Sequence, residues 1–245
     1  MMKKWMLFVL AVCLLLAGCG SLKDNADAQS RATDAQTENN ETNHDEVPAE
    51  TPEVLETEAP EMPALVVYPF PDTTMANLTD AMLAVSFEEG DVYLDDTGKL
   101  QMNAKIYSYD IYGAADIAGL KVGDIIATHA GEVEVSALER SDSGNVCING
   151  GLDEGGIELA PGGGGTFYEI GYNDAKNWYE VGEATIRVSA DFMGYDNADP
   201  DQGESLIYPG SFLVGEVTDY NFTPYNTTIR VEGGQVIELN RVYTP

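Results

Sequence analysis

From residue 63 onward, apolar residues come in short runs and alternations bounded by Gly, Asp and Asn, seldom at helical spacing. Residues 91–94 and 100–112 flank Asp95-Asp96-Thr97-Gly98, a stretch with turn chemistry. Between 102 and 111 the larger apolar residues alternate in part, which predicts a long strand with a bulge that brings Tyr107 and Tyr109 onto one face. Residues 124–130, 132–138 and 145–149 predict short strands separated by glycine-containing turns, and 156–159, 166–171 and 178–181 continue the series. Thr185-Ile186-Arg187-Val188-Ser189 alternates with period two, and residues 227–232 and 235–243 flank Gly233-Gly234, a two-residue hairpin signal. Helical signals are sparse: Asn77 or Thr79 caps a short helix through Ala84, and residues 114–120 make one turn or two. No segment keeps a helical apolar period for four turns. Strands every 8–12 residues with turns between them predict an all-β domain with minor helix, a barrel or a sandwich.

The first 62 residues read differently. Lys3 and Lys4 precede an apolar run from Met6 to Leu16, the layout of a secretory signal. The run is shorter than the roughly 20 helical residues a membrane span needs. It ends in Leu16-Ala17-Gly18-Cys19, which resembles the lipobox of bacterial lipoprotein precursors. The resemblance implies a signal peptide over 1–18 and thioether lipidation of Cys19 with at least two acyl chains. It further implies a chain anchored in the cell membrane and facing the extracytoplasmic side. Two chains anchor stably where one holds marginally, at about 0.8 kcal/mol per buried CH₂. Gly20 to Met62 is rich in Asp, Glu, Asn, Thr, Ala and Pro and has no aromatic residue. Such a stretch cannot bury enough apolar surface to fold, so 19–62 is expected to be a lipidated cysteine and a disordered acidic linker. Its flexible portion reaches roughly 35–40 Å by the square-root rule. All thirteen tyrosines lie beyond it, which sets the boundary of a β-rich globular domain at 63–245.

Charge narrows the partners. From residue 63 there are 30 Asp and Glu against 8 Lys and Arg, a net of −22. Nucleic acid is excluded, since phosphate backbones need a basic footprint. Anionic lipid headgroups are repelled too, which leaves membrane attachment to the acyl chains. After signal removal only Cys19 and Cys147 remain, so lipidation of Cys19 leaves Cys147 without a disulfide partner.

Few stretches carry chemistry. Asp196-Asn197-Ala198-Asp199-Pro200-Asp201-Gln202-Gly203-Glu204 is the densest run of hard oxygen donors. Calcium takes six to eight such ligands, so Asp196, Asn197, Asp199, Asp201 and Glu204 are the candidate ligands of a Ca²⁺ site. The glycine position and Tyr208 depart from an EF-hand loop. Tyr172, Trp178 and Tyr179 flank the polar turn at 173–177 and are the candidate ligand-binding aromatics. His129 is the one histidine of the domain, and with Cys147 it is expected to supply neither a catalytic nor a structural zinc site, even with carboxylate help; no Gly-x-Ser-x-Gly elbow is present. Cys147, within Val146-Cys147-Ile148, reads as a small buried apolar residue. Pro161-Gly162-Gly163-Gly164-Gly165 lacks the Lys and Ser/Thr of a P-loop and reads as a hairpin connection.

Two further resemblances are local. Ala118-Gly119-Leu120-Lys121-Val122-Gly123-Asp124-Ile125-Ile126 resembles the turn that leads into a central strand of PDZ domains, over about a dozen residues. The carboxylate-binding loop of that family has no counterpart near 107–112, and the glycine-rich 150–165 cannot be its groove helix. The same turn opens strands in small β-barrels. The stretch 226–238 with Arg241-Val242-Tyr243 resembles the closing hairpins of uncharacterised Gram-positive surface lipoproteins, a resemblance that implies no activity.

Three functions follow as expectations, in order. First comes a membrane-tethered, non-catalytic binding domain for a protein, peptide or glycan. A Ca²⁺-dependent structural or adhesive module is second. A carboxylate-based hydrolase is last, because thirty acids satisfy a two-carboxylate criterion without specifying a site.

Overall fold

Alternating burial sets the architecture of the computed structural model, which describes residues 63–244 other than 173, 174 and 202. Met1–Thr57 and Glu58–Pro245 are separate units, and the described residues all belong to the second. The lipobox, Cys19 and the linker over 19–62 lie outside the described residues. The chain opens with β1 (Val66–Val67), a 3-10 turn at Thr74–Ala76, β2 (Ala81–Ser86), β3 (Val92–Leu94) and β4 (Leu100–Ser108). Then come β5 (Ile111–Gly113), the helix α1 (Ala114–Gly119), β6 (Ile125–Thr128), β7 (Gly131–Glu134), β8 (Leu138–Arg140) and β9 (Val146–Ile148). The last six strands are β10 (Ile157–Pro161), β11 (Thr166–Glu169), β12 (Tyr179–Asn197), β13 (Ser205–Ile207), β14 (Thr227–Glu232) and β15 (Gln235–Val242).

Five strands, in the order β12, β15, β14, β2 and β4, close into a barrel because β12 also pairs with β4. β12 runs parallel to β15 and antiparallel to β4, so it is the closing stave. β3 and β13 extend the sheet at either flank. In β4 the residues Leu100, Met102, Ala104 and Ile106 are buried and those between them are not. They meet Leu83, Val85, Ile186, Val188, Ile229, Val231, Val236 and Leu239 in one core. The fold is all-β with a minor helix, as the strand spacing predicts.

Residues 109–178 leave this barrel between paired neighbours, Ser108 opposite Tyr179, and build a second core. It consists of the five-stranded antiparallel sheet β5-β11-β10-β9-β8 and the small sheet β1-β6-β7. Tyr112, Ile117, Ile126, Ile148 and Leu159 fill it. Asp124, fully buried, shapes the turn before β6. Its Oδ2 accepts the Lys121 N–H at 3.0 Å and its Oδ1 accepts the Leu65 N–H at 2.9 Å, which ties β1 alongside. Strands β8 and β9 follow rather than a groove helix, so the turn at 118–126 serves a β module.

Three local expectations are corrected. The helix through Ala84 is instead β2, with Leu83 buried and Met82 exposed, because β14 and β4 supply its hydrogen bonds from both sides. The long strand over 100–112 breaks at Tyr109-Asp110, where the chain leaves the barrel. The strands expected at 178–181 and 185–189 are parts of one 19-residue strand, Tyr179–Asn197, whose register against β4 shifts between Glu180 and Gly182. Among the described residues no helix is long and apolar enough to cross a membrane.

Candidate functional site

The neck between barrel and insert collects the chemistry. Three stretches run side by side there: Tyr109-Asp110 on the way out, Tyr168-Glu169 at the end of β11, and Lys176 to Tyr179 on the way back. The Glu169 N–H donates to the Asp110 carbonyl at 3.3 Å, and the Asn177 N–H donates to the Glu169 carbonyl at 3.0 Å. In extended chain, successive side chains point to opposite faces, so each stretch places one residue on each side of the neck.

One side is aromatic. The Tyr109 ring meets Trp178 edge to face at 4.9 Å and Tyr168 at 6.0 Å. The Lys176 ammonium sits over Tyr109 at 4.0 Å, with the Trp178 ring at 5.2 Å and that of Tyr168 at 6.0 Å. Three ring faces around one ammonium form a cation–π box. Trp178 is also a wall of an open groove of about 440 Å³, shared with Tyr107, Tyr220, Phe222, Pro224 and Tyr225. The stacked pair Phe87–Phe222, centroids 4.2 Å apart, is buried beneath it. The groove shares Ser86, Glu88 and Tyr107 with a polar trough of about 700 Å³ that continues past Asn103, Lys105 and Glu183.

The other side is acidic. Asp110 and Glu169 are 3 % and 8 % exposed, and a donor atom from each lies within 4.8 Å of the other and of a His129 ring nitrogen. Asp110 Oδ2 accepts the His129 backbone N–H at 2.7 Å and stands 3.1 Å from His129 Nδ1. The Tyr179 hydroxyl donates to Asp110 Oδ1 at 3.3 Å, and its ring stacks on the imidazole at 4.1 Å. Burial, reinforced by the Asp110 charge, pushes the Tyr179 phenol up to about 12. Asn177 Nδ2 donates to Glu169 Oε1 at 2.7 Å, whereas Glu169 Oε2 is buried without a hydrogen-bond partner among the described residues. Burial raises the Glu169 carboxyl above its usual range; the Asn177 hydrogen bond opposes this and the Asp110 charge adds to it.

The candidates named above are placed as follows. Trp178 and Tyr179 are neighbours on the returning stretch and take opposite sides, aromatic and acidic. Tyr172 stands apart from both at 90 % exposure. In the acidic run, the Asp196 carboxylate is taken up by Arg241, with Nε donating to Oδ1 at 2.9 Å and Nη2 to Oδ2 at 2.5 Å. Asp199 Oδ1 accepts the Asp201 N–H, and Asn197 Nδ2 donates to Glu204 Oε2 at 3.4 Å. Cys147 is half-buried on the outward face of β9, opposite Val146 and Ile148, rather than in the core. Burial first, then the nearby Glu158 and Glu139, push its thiol up, which suits an inert residue.

Sequence reasoning missed Asp110, Glu169 and the role of His129. They lie 19 and 40 residues apart, so no spacing rule joins them. The available signal was the repeated aromatic-acid step, Tyr109-Asp110 and Tyr168-Glu169, beside the lone histidine. No protein-family model, curated protein or solved structure matches this chain. The fold and neck define a closed β-barrel that carries an inserted β module, with an aromatic groove at their junction.

Proposed function

We propose that the chain is a membrane-tethered extracytoplasmic lipoprotein whose β domain binds a ligand without transforming it. The succession of n-region, apolar run, small pair and Cys19 in the sequence supports the tether. The observation that carries the binding role is the open aromatic groove, where Tyr107, Trp178, Tyr220 and Tyr225 stand beside the hydroxyls of Ser86 and Thr223. Binding sites combine apolar and aromatic walls with a few placed polar groups, and this lining does so. A net charge of −22 from residue 63 disfavours anionic ligands. Flat rings next to hydroxyls and the polar trough favour a neutral glycan as the ligand.

Glycan and peptide arrays probed with the purified chain, alongside Trp178→Ala and Tyr225→Ala, test this reading. A retained neutral glycan whose affinity falls at least tenfold in both variants is expected. Retention unchanged in both would remove the groove as the site. In cells, Cys19→Ser is expected to move the protein from the membrane to the soluble fraction. A variant that stays in the membrane would refute the lipid tether.

A further inference from the structure

The acidic side of the neck is a different matter from the groove, and its reading does not depend on what the groove holds. Two carboxylates, each at least nine-tenths buried, converge with one imidazole nitrogen inside 4.8 Å. Buried charges in folded proteins are paired with opposite charge or coordinate a metal. Lys176, the neck's cation, is on the other side among the aromatic rings. Among the described residues, the counter-charge paired with Asp110 and Glu169 is His129. That leaves one acid over, and Glu169 Oε2 shows it: it is buried and has no hydrogen-bond donor among the described residues.

We propose that Asp110, His129 and Glu169 bind a first-row divalent transition cation, of which Zn²⁺ is the probe. One imidazole and two carboxylates supply three ligands and two negative charges, which a divalent ion neutralises. Bonds of about 2.0–2.2 Å place neighbouring ligand atoms roughly 3.0–3.5 Å apart. Asp110 Oδ2 and His129 Nδ1 already stand at 3.1 Å, and the Glu169 oxygen lies within 4.8 Å of its partners, close enough for a side-chain rotation to bring it in. Outer partners hold each ligand in place. Tyr179 donates to Asp110 and stacks on His129, and Asn177 donates to Glu169. Such partners orient ligands and are part of a metal site's affinity. The His129 side chain is 26 % exposed, which gives an ion an entry path and leaves room for water as a further ligand. The imidazole selects against Ca²⁺ and Mg²⁺, which take oxygen. The ligands come from the outgoing stretch, the β6–β7 turn and the end of β11, all within the insert, and Tyr179 links the cluster to the barrel strand β12.

Calorimetry and thermal melting of the chelator-treated chain, titrated with Zn²⁺, Ca²⁺ and Mg²⁺, test the site. Zn²⁺ is expected to bind one to one and raise Tm, with Ca²⁺ and Mg²⁺ at least tenfold weaker. Glu169→Gln and His129→Gln each are expected to weaken Zn²⁺ at least tenfold, while Tyr179→Phe keeps the stoichiometry. Without metal, Glu169→Gln is expected to melt no lower than the parent, because it replaces a buried acid that is hydrogen-bonded at Oε1 alone with a neutral amide. Should either variant fail to fold, imidazole NMR of the parent decides: Zn²⁺ must shift the ring signals of His129 at one equivalent, ahead of those of His44. Zn²⁺ affinity equal in parent and folded variants, a shift of His44 alone, or no saturable binding would overturn the proposal. The cluster would then be a buried ion pair beside an unpaired acid.

Discussion

Arg241 reaches into the barrel's end with 5 % of its side chain exposed, and each of its nitrogens has an acceptor. Nε and Nη2 take the Asp196 carboxylate, Nη1 takes the Asp219 carbonyl at 2.9 Å, and the guanidinium lies over the Phe222 ring at 4.4 Å. The bidentate fit is what a planar guanidinium does and an ammonium cannot. Removing one partner of a largely buried pair leaves the other uncompensated, which costs about 3–5 kcal/mol. Arg241→Met is therefore expected to lower the unfolding free energy measured by urea titration by an amount in that range, and adding Asp196→Leu is expected to recover part of it. Equal stability of parent and single variant would show that water already serves Asp196. The partner of Asp196 was not legible in the acid-rich stretch itself, because Arg241 is 45 residues away on β15.

At the scale of elements, the turn between β9 and β10 is held by a glycine that admits no side chain. A Cβ on Gly156 would collide with the carbonyl oxygens of Ile148 and Asn149, backbone atoms that cannot swing aside. Overpacking of this kind costs about 1–3 kcal/mol or more. Gly156→Ala is expected to speed hydrogen exchange of the β9 and β10 amides while the barrel amides stay protected. Gly163→Ala, where nothing lies within 4 Å, is expected to be silent. Equal exchange in the two variants would refute the assignment. Elements closed by local chemistry were legible beforehand. The β14–β15 hairpin turns on Gly233 and Gly234 at φ 55° and 73°, and β10–β11 turns on the glycines after Pro161. β2 was not, because Ala81-Met82-Leu83-Ala84-Val85 has an apolar run with no decisive period, and partners more than a hundred residues away at Thr228–Val231 make it a strand. The neck was illegible for the same reason: its alternation is local, but the register that brings three stretches together is not.

For the whole molecule, two cores share one chain, and the barrel does not need the insert to close. All five of its strand pairings lie outside residues 109–178. Joining residue 108 to residue 179 through Asn-Gly, in a chain that starts at Pro71 so that β1 is not stranded, is expected to leave a cooperatively melting β-barrel. A molten product without a cooperative transition would mean that the insert's core is needed after all. Ser108 and Tyr179 face each other across a ladder whose paired Cα atoms are about 5 Å apart. That gap works as a socket: any folded module whose own termini emerge a handspan of one peptide apart can be spliced into it without disturbing its host. Variation in length and sequence is therefore free to accumulate in the cargo away from its neck, while the neck residues and the stave geometry behind them are kept.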